Sequence, residues 1–339
     1  MNKLKICVLL GGISSERSIS LVSGKSILDN LDKDKYEVCA IDPIDFREDK
    51  EEIINRTPLM DNHKKIIEDL YNSNYLIPAS SLFGENPYRP DLFYISLHGK
   101  GGEDGAIQGF LETINAKYTG STILGSAVAI NKIYAKKIMK SMGLNVPVTI
   151  NVDTQRGYDV EEIKSKIKSY PVFVKANNQG SSIGCEKIYE PEELEACLEI
   201  SGQYDNLITI EEGIVGTEIT VPVIGDDHPL PSIEIIPNRG NEYDFTHKYL
   251  PGATTEICPS RIPPELERKA GEIAVICHHI LGCRGISRTD MIIDKNHKIY
   301  VLETNTIPGM TPTSLVPLSA KTAGLEFSKL LDIIIETAL

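Results

Sequence analysis

The chain has 339 residues, enough for roughly two or three domains at about 150 residues each. Its 48 acidic residues outnumber its 35 Lys and Arg, a net charge of −13. That excess argues against a nucleic-acid binder, which needs a basic face to displace counterions. It does not exclude a small anionic ligand held by a few lysines in one cleft. With 41% apolar residues, no Trp, 14 Tyr and 7 Phe, the chain has an ordinary globular composition and a mostly aliphatic core. No apolar run approaches the ~20 residues of a membrane helix. The opening MNKLKICVLLGG reads as a buried strand rather than a signal peptide. Seven cysteines without a CxxC pair read as reduced core thiols of a cytoplasmic protein.

In chain order, 5–10 reads as a strand and 18–31 as a helix with Ile19, Val22, Ile27 and Leu31 at helical spacing. Strands follow at 36–42 and 92–97, the latter apolar enough to be buried on both faces. The polar stretch 45–89 reads as helix plus loops. Together these form an open parallel α/β unit ending near Gly120. A helix over 126–142, closed by Gly143, opens a second unit. Strands at 146–151, 172–175 and 183–187 and a helix at 192–200 give it an α+β pattern. The remainder carries strands at 208–211, 217–224 and 232–236, a polar loop over 238–260 and a helix over 264–281. Strands at 287–293 and 298–303 and a final helix over 325–339 complete the chain.

Four segments carry chemistry. LLGGISSERSIS runs a buried strand through Gly11-Gly12 into a helix start, a turn whose free N–H groups attract anions. It is not a GxGxxG fingerprint, so a nicotinamide-dependent oxidoreductase has little support. Glu16 there either complements the helix dipole or pairs with an ammonium group. LHGKGGEDGAIQG sets five glycines around His98, Glu103 and Asp104, more than a turn needs. VKANNQGSSIG places Lys175 before Gly180-Ser181-Ser182, a plausible phosphate cradle though not a P-loop. Lys132 and Lys136 add charge to the preceding helix; for Lys136 a solvated face is the preferred reading.

In SRTDMIIDKNHKIYVLETNTIPGMT, Arg288 and Asp290 are two apart on one strand, as are Glu303 and Asn305 on the next. A hairpin through 294–298 makes Asp290, Glu303 and Asn305 converge. Two carboxylates and an amide oxygen are hard ligands suited to Mg²⁺ bridging phosphates. Arg288 then balances developing negative charge.

Together these segments, with YTGS, HKYLPG, CPS and TPTSLVP, resemble the D-alanine–D-alanine ligases of the ATP-grasp superfamily, in the family's order over nearly the whole chain. The resemblance implies a three-domain ATP-grasp ligase with an N-terminal open parallel α/β domain. It divides the chain into an N-terminal Rossmann-like domain (1–120), a central ATP-grasp subdomain (121–211) and a C-terminal one (212–339). A mobile loop over 238–260 is implied to cover the site and exclude water.

The resemblance gives Lys132, Lys175 and Lys248 to the ATP phosphates, with Ser182 in the cradle. Glu211 and Ile214 fall at the adenine hinge and Glu218 at the ribose. Asp290, Glu303 and Asn305 become ligands of two Mg²⁺ ions, which Mn²⁺ can replace. Glu16 binds the first ammonium with His98 nearby, and Arg288 and the Gly309 amide stabilise an oxyanion. Ser314 and Leu315 receive the second carboxylate, and Ser181, Tyr249 and Glu16 form a closing triad. Two positions depart from the pattern: Gln179 stands where Glu is usual, and Gly213 where a large residue is common.

The implied reaction joins two D-alanines through an acylphosphate for peptidoglycan precursors, in a cytoplasmic homodimer without nucleic-acid or membrane partners. D-Ala-D-Ser and D-Ala-D-lactate synthesis are the close alternatives. Relatives that accept D-lactate carry His in place of the Lys-Tyr pair; here His247 precedes an intact Lys248-Tyr249, which favours the dipeptide. A non-catalytic ATP-grasp binding protein would have lost a metal ligand or phosphate lysine, and none is missing.

Overall fold

The computed structural model describes residues 3–57, 59–83, 87–180, 184–225, 227–238 and 254–339. The first sheet is three-stranded and parallel, with β1 (Leu4–Leu9) between β2 (Tyr36–Ile41) and β3 (Leu92–Ile95). All four β3 residues are buried, as its uninterrupted apolar run requires. Gly11 and Gly12 then take φ of 78° and 77°, turning the chain into the Arg17–Asn30 helix. At Gly11 a Cβ would lie 2.4 Å from the Asp42 carboxylate, so only glycine fits. The 45–89 stretch gives helices Lys50–Arg56 and Lys64–Tyr71 among short turns. His63, between them, is buried with its Nδ1 2.9 Å from Ser18 Oγ.

The second sheet is antiparallel, in the order β4 (Thr149–Asp153), β7 (Leu207–Glu212), β5 (Val172–Ala176), β6 (Cys185–Ile188). β4 begins three residues beyond its expected start because Pro147 lacks the N–H a ladder needs. Leu194 and Leu198 of the Leu194–Gly202 helix cover one face. So does Ile163 of an unanticipated seven-residue helix, Val160–Lys166, whose start is fixed by the Asp159 carboxylate.

The third sheet runs β11 (Thr254–Ile257), β10 (Ile233–Pro237), β8 (Gly216–Ile224), β12 (Ile286–Asp294), β13 (Ile299–Asn305). A two-residue β9 (His228–Pro229) also pairs with β8. β11 lies in what reads as pure loop in the sequence; it is a short edge strand paired to β10. The Pro264–Ile280 helix covers this sheet through Ala270, Ala274 and Cys277.

The single helix expected over 126–142 is two helices, Ile123–Ile130 and Lys132–Ser141. Asn131 breaks it: its backbone is extended and its side-chain oxygen accepts the Tyr134 N–H at 3.0 Å, capping the second helix. Ala129, Ala135 and Met139 of this pair pack into the core of the third sheet. Near the C-terminus, the Leu315–Thr322 helix was concealed in the sequence by Pro317, which the first turn tolerates. With the Phe327–Glu336 helix it packs against the first sheet and the Arg17–Asn30 helix, where Val316, Leu330, Leu331, Ile334 and Ile335 share a core with Leu10, Ile27 and Leu28. Among the described residues no helix is long and apolar enough to cross a membrane.

Candidate active site

A cleft of about 480 Å³ opens between the second and third sheets, lined by Lys132, Lys175, Glu211, Ile214, Glu218, Asp290 and Glu303 among others. Its polar end is set by the β12–β13 hairpin. Asp290 lies opposite Glu303 and Arg288 opposite Asn305. Asp290 and Glu303 both line the cleft, while the Asn305 side-chain oxygen accepts the Ile307 N–H at 2.9 Å. The Asp294 amide donates to the Lys298 carbonyl and His297 takes φ of 62°, closing the turn. Arg288 donates two bonds of 3.0 Å to the two oxygens of Asp290, and Thr220 adds a third of 2.5 Å. Lys132 Nζ lies 3.3 Å from Glu303 and donates to the Gln179 carbonyl at 2.6 Å. The Asn131 break makes this possible: it starts the helix beside Asn177, whose side chain accepts the Ile133 N–H.

Among the described residues no three His, Cys, Asp or Glu gather as a metal cage. The donors on offer are the Asp290 and Glu303 carboxylates and the Asn305 amide oxygen. They suit a hard cation whose remaining ligands come from phosphate and water.

At the closed wall of the cleft, Glu211 is 1% exposed and binds two lysines. Lys175 donates to its Oε2 at 2.9 Å, and Lys136 to its Oε1. Burial alone would raise this carboxyl, but the two ammonium groups overcome it and hold the pKa down at about 2. Lys136 is thus not on a solvated face, as its polar neighbours suggested; it is 4% exposed. The available signal was its position one turn after Lys132, between Ala135 and Met139, which the helix buries. Burial lowers the Lys136 pKa to about 8, against the pull of Glu211. Lys175, in contrast, is raised: the pull of Glu211 outweighs its burial.

The two sequence departures have local causes. The Gln179 side-chain amide donates to the Tyr204 carbonyl at 3.4 Å, which a glutamate could not do. The Gly213 N–H donates to the Pro171 carbonyl at 2.9 Å, and a Cβ there would approach that oxygen to 2.6 Å.

A second pocket of polarity lies where the first sheet meets the hairpin. Glu16 is 6% exposed at the helix start. Its carboxylate abuts Gly99 and Gly180, where added Cβ atoms would lie 2.6 and 3.1 Å from Oε2. His98 is buried with Nε2 3.3 Å from Ser23 Oγ. Burial and the nearby Arg288 charge lower its pKa to about 4, so it is neutral at pH 7. Glu103, given no role by sequence, accepts the Gly99 N–H at 2.7 Å. Burial first and the Glu16 charge second raise its pKa to about 8, against Arg288 and two backbone N–H groups. Its only sequence signal was its place among five glycines.

Gly309 and Ser314 come together beyond the hairpin: a Cβ on Gly309 would sit 2.9 Å from Ser314 Oγ. Ser314 and Leu315 stand at the start of the Leu315–Thr322 helix, whose N–H groups favour a carboxylate. Ser181, Ser182, Lys248 and Tyr249 lie outside the described residues, as does most of the expected mobile loop.

Residues 5–121 match the family described as D-ala D-ala ligase N-terminus, and 138–336 the family described as D-ala D-ala ligase C-terminus. The chain belongs to the D-alanine–D-alanine ligase family. A D-alanine–D-alanine ligase from Syntrophobacter fumaroxidans is 42% identical over 99% of this chain and 98% of its own length. Two solved structures, each 32% identical, share the ATP-grasp fold. The D-alanine–D-alanine ligase from Bacillus anthracis complexed with ATP superposes with a TM-score of 0.75, covering 99% of this chain and 97% of its own. The VanG D-Ala:D-Ser ligase from Enterococcus faecalis superposes with a TM-score of 0.81, covering both chains fully.

Proposed function

We propose that this chain joins two D-alanines into D-alanyl-D-alanine at the expense of ATP, through an acylphosphate, as a step toward peptidoglycan precursors. The observation that carries the reading is the juxtaposition at one hairpin. Arg288 ion-pairs with Asp290 on the cleft side, and its charge reaches His98 and Glu103 on the other. Lys132 and Lys175 are suited to a polyphosphate, and Glu211, Ile214 and Glu218 to the base and sugar. Glu16 is suited to an ammonium, and Ser314 with Leu315 to a second carboxylate. Ser181, Ser182, Lys248 and Tyr249 are assigned to the cradle and closure by resemblance. Asp290, Glu303 and Asn305 would hold Mg²⁺, in one or two ions, neutralising the charge that builds on the transferring phosphoryl group.

In the first step a carboxylate oxygen of D-alanine attacks the γ-phosphorus. The bond from γ-phosphorus to its bridging oxygen breaks, and ADP leaves. Lys132 and Lys175 position the phosphates; Glu16 holds the ammonium so that the carboxylate faces them. In the second step the amine of another D-alanine attacks the acyl carbon. Arg288 and the Gly309 N–H meet the oxyanion. Phosphate then departs with the carboxylate oxygen, and the amine loses a proton. Neutral Glu103 and His98 keep the first amino acid's pocket from gathering further charge.

D-Ser is the runner-up second substrate, since a D-Ala:D-Ser ligase shares the fold as fully as the D-alanine–D-alanine ligases do. ADP release measured with D-Ala, D-Ser and D-lactate as alternative second substrates discriminates. The dipeptide reading expects the highest kcat/KM with D-Ala; preference for D-lactate at neutral pH contradicts it. We further assign the three-part division at 120 and 211, a homodimer and a cytoplasmic location.

A further inference from the structure

The Lys136–Glu211–Lys175 cluster contains more charge than the phosphate lysines need. Glu211 and Lys175 line the cleft. Lys136 does not: its side chain is 5% exposed and donates to the Glu211 oxygen other than the one Lys175 binds. The charged groups facing it are Glu211 from β7, Lys175 from β5 and Lys132 from its own helix. A buried ion pair offsets its desolvation poorly, and an apolar residue of similar length would pack here at least as well. Stability is therefore a weak reason for a lysine at this position.

Charge counting supplies a stronger one. Glu211 is one anion between two cations, so the cluster carries a net +1. Without Lys136, Glu211 would have Lys175 alone, and the pair would sum to zero at the wall where a polyphosphate is to be met. We propose that Lys136 is a positioning residue for the nucleotide, engaging the far oxygen of Glu211 so that Lys175 keeps a positive charge for the phosphates. Lys136 touches no ligand itself; its effect passes through Glu211. The inference rests on the ATP-dependent reading above.

The test is a double-mutant cycle on the full chain, reading ATP binding by calorimetry without D-alanine and KM for each substrate. Lys136→Met keeps the aliphatic stem and is expected to weaken ATP binding about tenfold while leaving the KM for D-alanine unchanged. In a Glu211→Gln background the same change is expected to cost less than twofold, because no anion remains for Lys136 to engage. Lys136→Arg is expected to recover part of the loss. If Lys136→Met alone fails to fold, comparing Glu211→Gln with the double variant still decides, since neither holds an unpaired buried anion. An equal loss in both backgrounds would mean that Lys136 serves packing, and would overturn the proposal. So would ATP binding within twofold of the unaltered chain in Lys136→Met. Absence of ATP binding by the unaltered chain would instead overturn the functional reading beneath it.

Discussion

Glu211 and Glu103 are both nearly enclosed, yet burial ends differently for each. Glu211 meets two lysines, and its pKa falls to about 2. Glu103 meets Glu16, and its pKa rises to about 8. At neutral pH one is an anion between cations; the other is a neutral acid beside an anion. Burial raises both, and only the two lysines at Glu211 reverse its sign. The lysine-lined end of the cleft is thereby kept charged, while the Glu103 carboxyl beside Glu16 is kept neutral.

The largest effect is expected at the hairpin that joins the two ends. Asp290→Asn or Glu303→Gln should lower kcat by about a hundredfold or more. Circular dichroism should be unchanged, since both side chains border the cleft; a mild kcat effect would separate the hairpin from the chemistry. Next comes the difference between the two buried acids. Glu103→Gln copies the protonated acid and should keep kcat/KM within about tenfold of the unaltered enzyme at pH 7. In the unaltered chain Glu103 ionises as pH rises through about 8, so the KM for D-alanine should climb there. In Glu103→Gln that climb should vanish, and its persistence would assign it elsewhere.

Stability should show the same opposition. The Glu211 pKa is depressed from 4.5 to about 2. Its contribution is present above pH 4.5 and lost as pH falls toward 2, on the order of 3 kcal/mol. The Glu103 pKa is raised from 4.5 to about 8. Its ionisation therefore costs stability progressively as pH rises across that window, on the order of a few kcal/mol. Urea midpoints of Glu211→Gln and Glu103→Gln against pH resolve the two; parallel profiles would contradict the contrast. The smallest effect is expected at Asn131→Ala, which removes the cap that starts the Lys132 helix. It should cost about 1 kcal/mol in urea unfolding.

The elements that carry the fold were legible because they bury an apolar run or repeat it at helical spacing. β3 and the 264–280 helix are of this kind. The hairpin constellation was legible because residues two apart on a strand must share a face. Part of what escaped depended on contacts distant in sequence, and part on single residues inside a periodic stretch. Lys136 looked solvated until its helix was laid on the third sheet and Glu211 came up from β7. Glu103 keeps its proton through burial first and through Glu16, 87 residues earlier, second. Asn131 hid a helix break inside an otherwise continuous periodic stretch, and Pro317 hid a helix start.

The central claim is that the first D-alanine is activated as an acylphosphate at this hairpin. Supplying ATP, Mg²⁺ and D-alanine with both carboxylate oxygens replaced by ¹⁸O tests it most directly, with mass analysis of products. The account predicts ADP, inorganic phosphate bearing one ¹⁸O per turnover, and a dipeptide retaining the other in its new amide. Unlabelled phosphate, or release of AMP carrying the label, would contradict it.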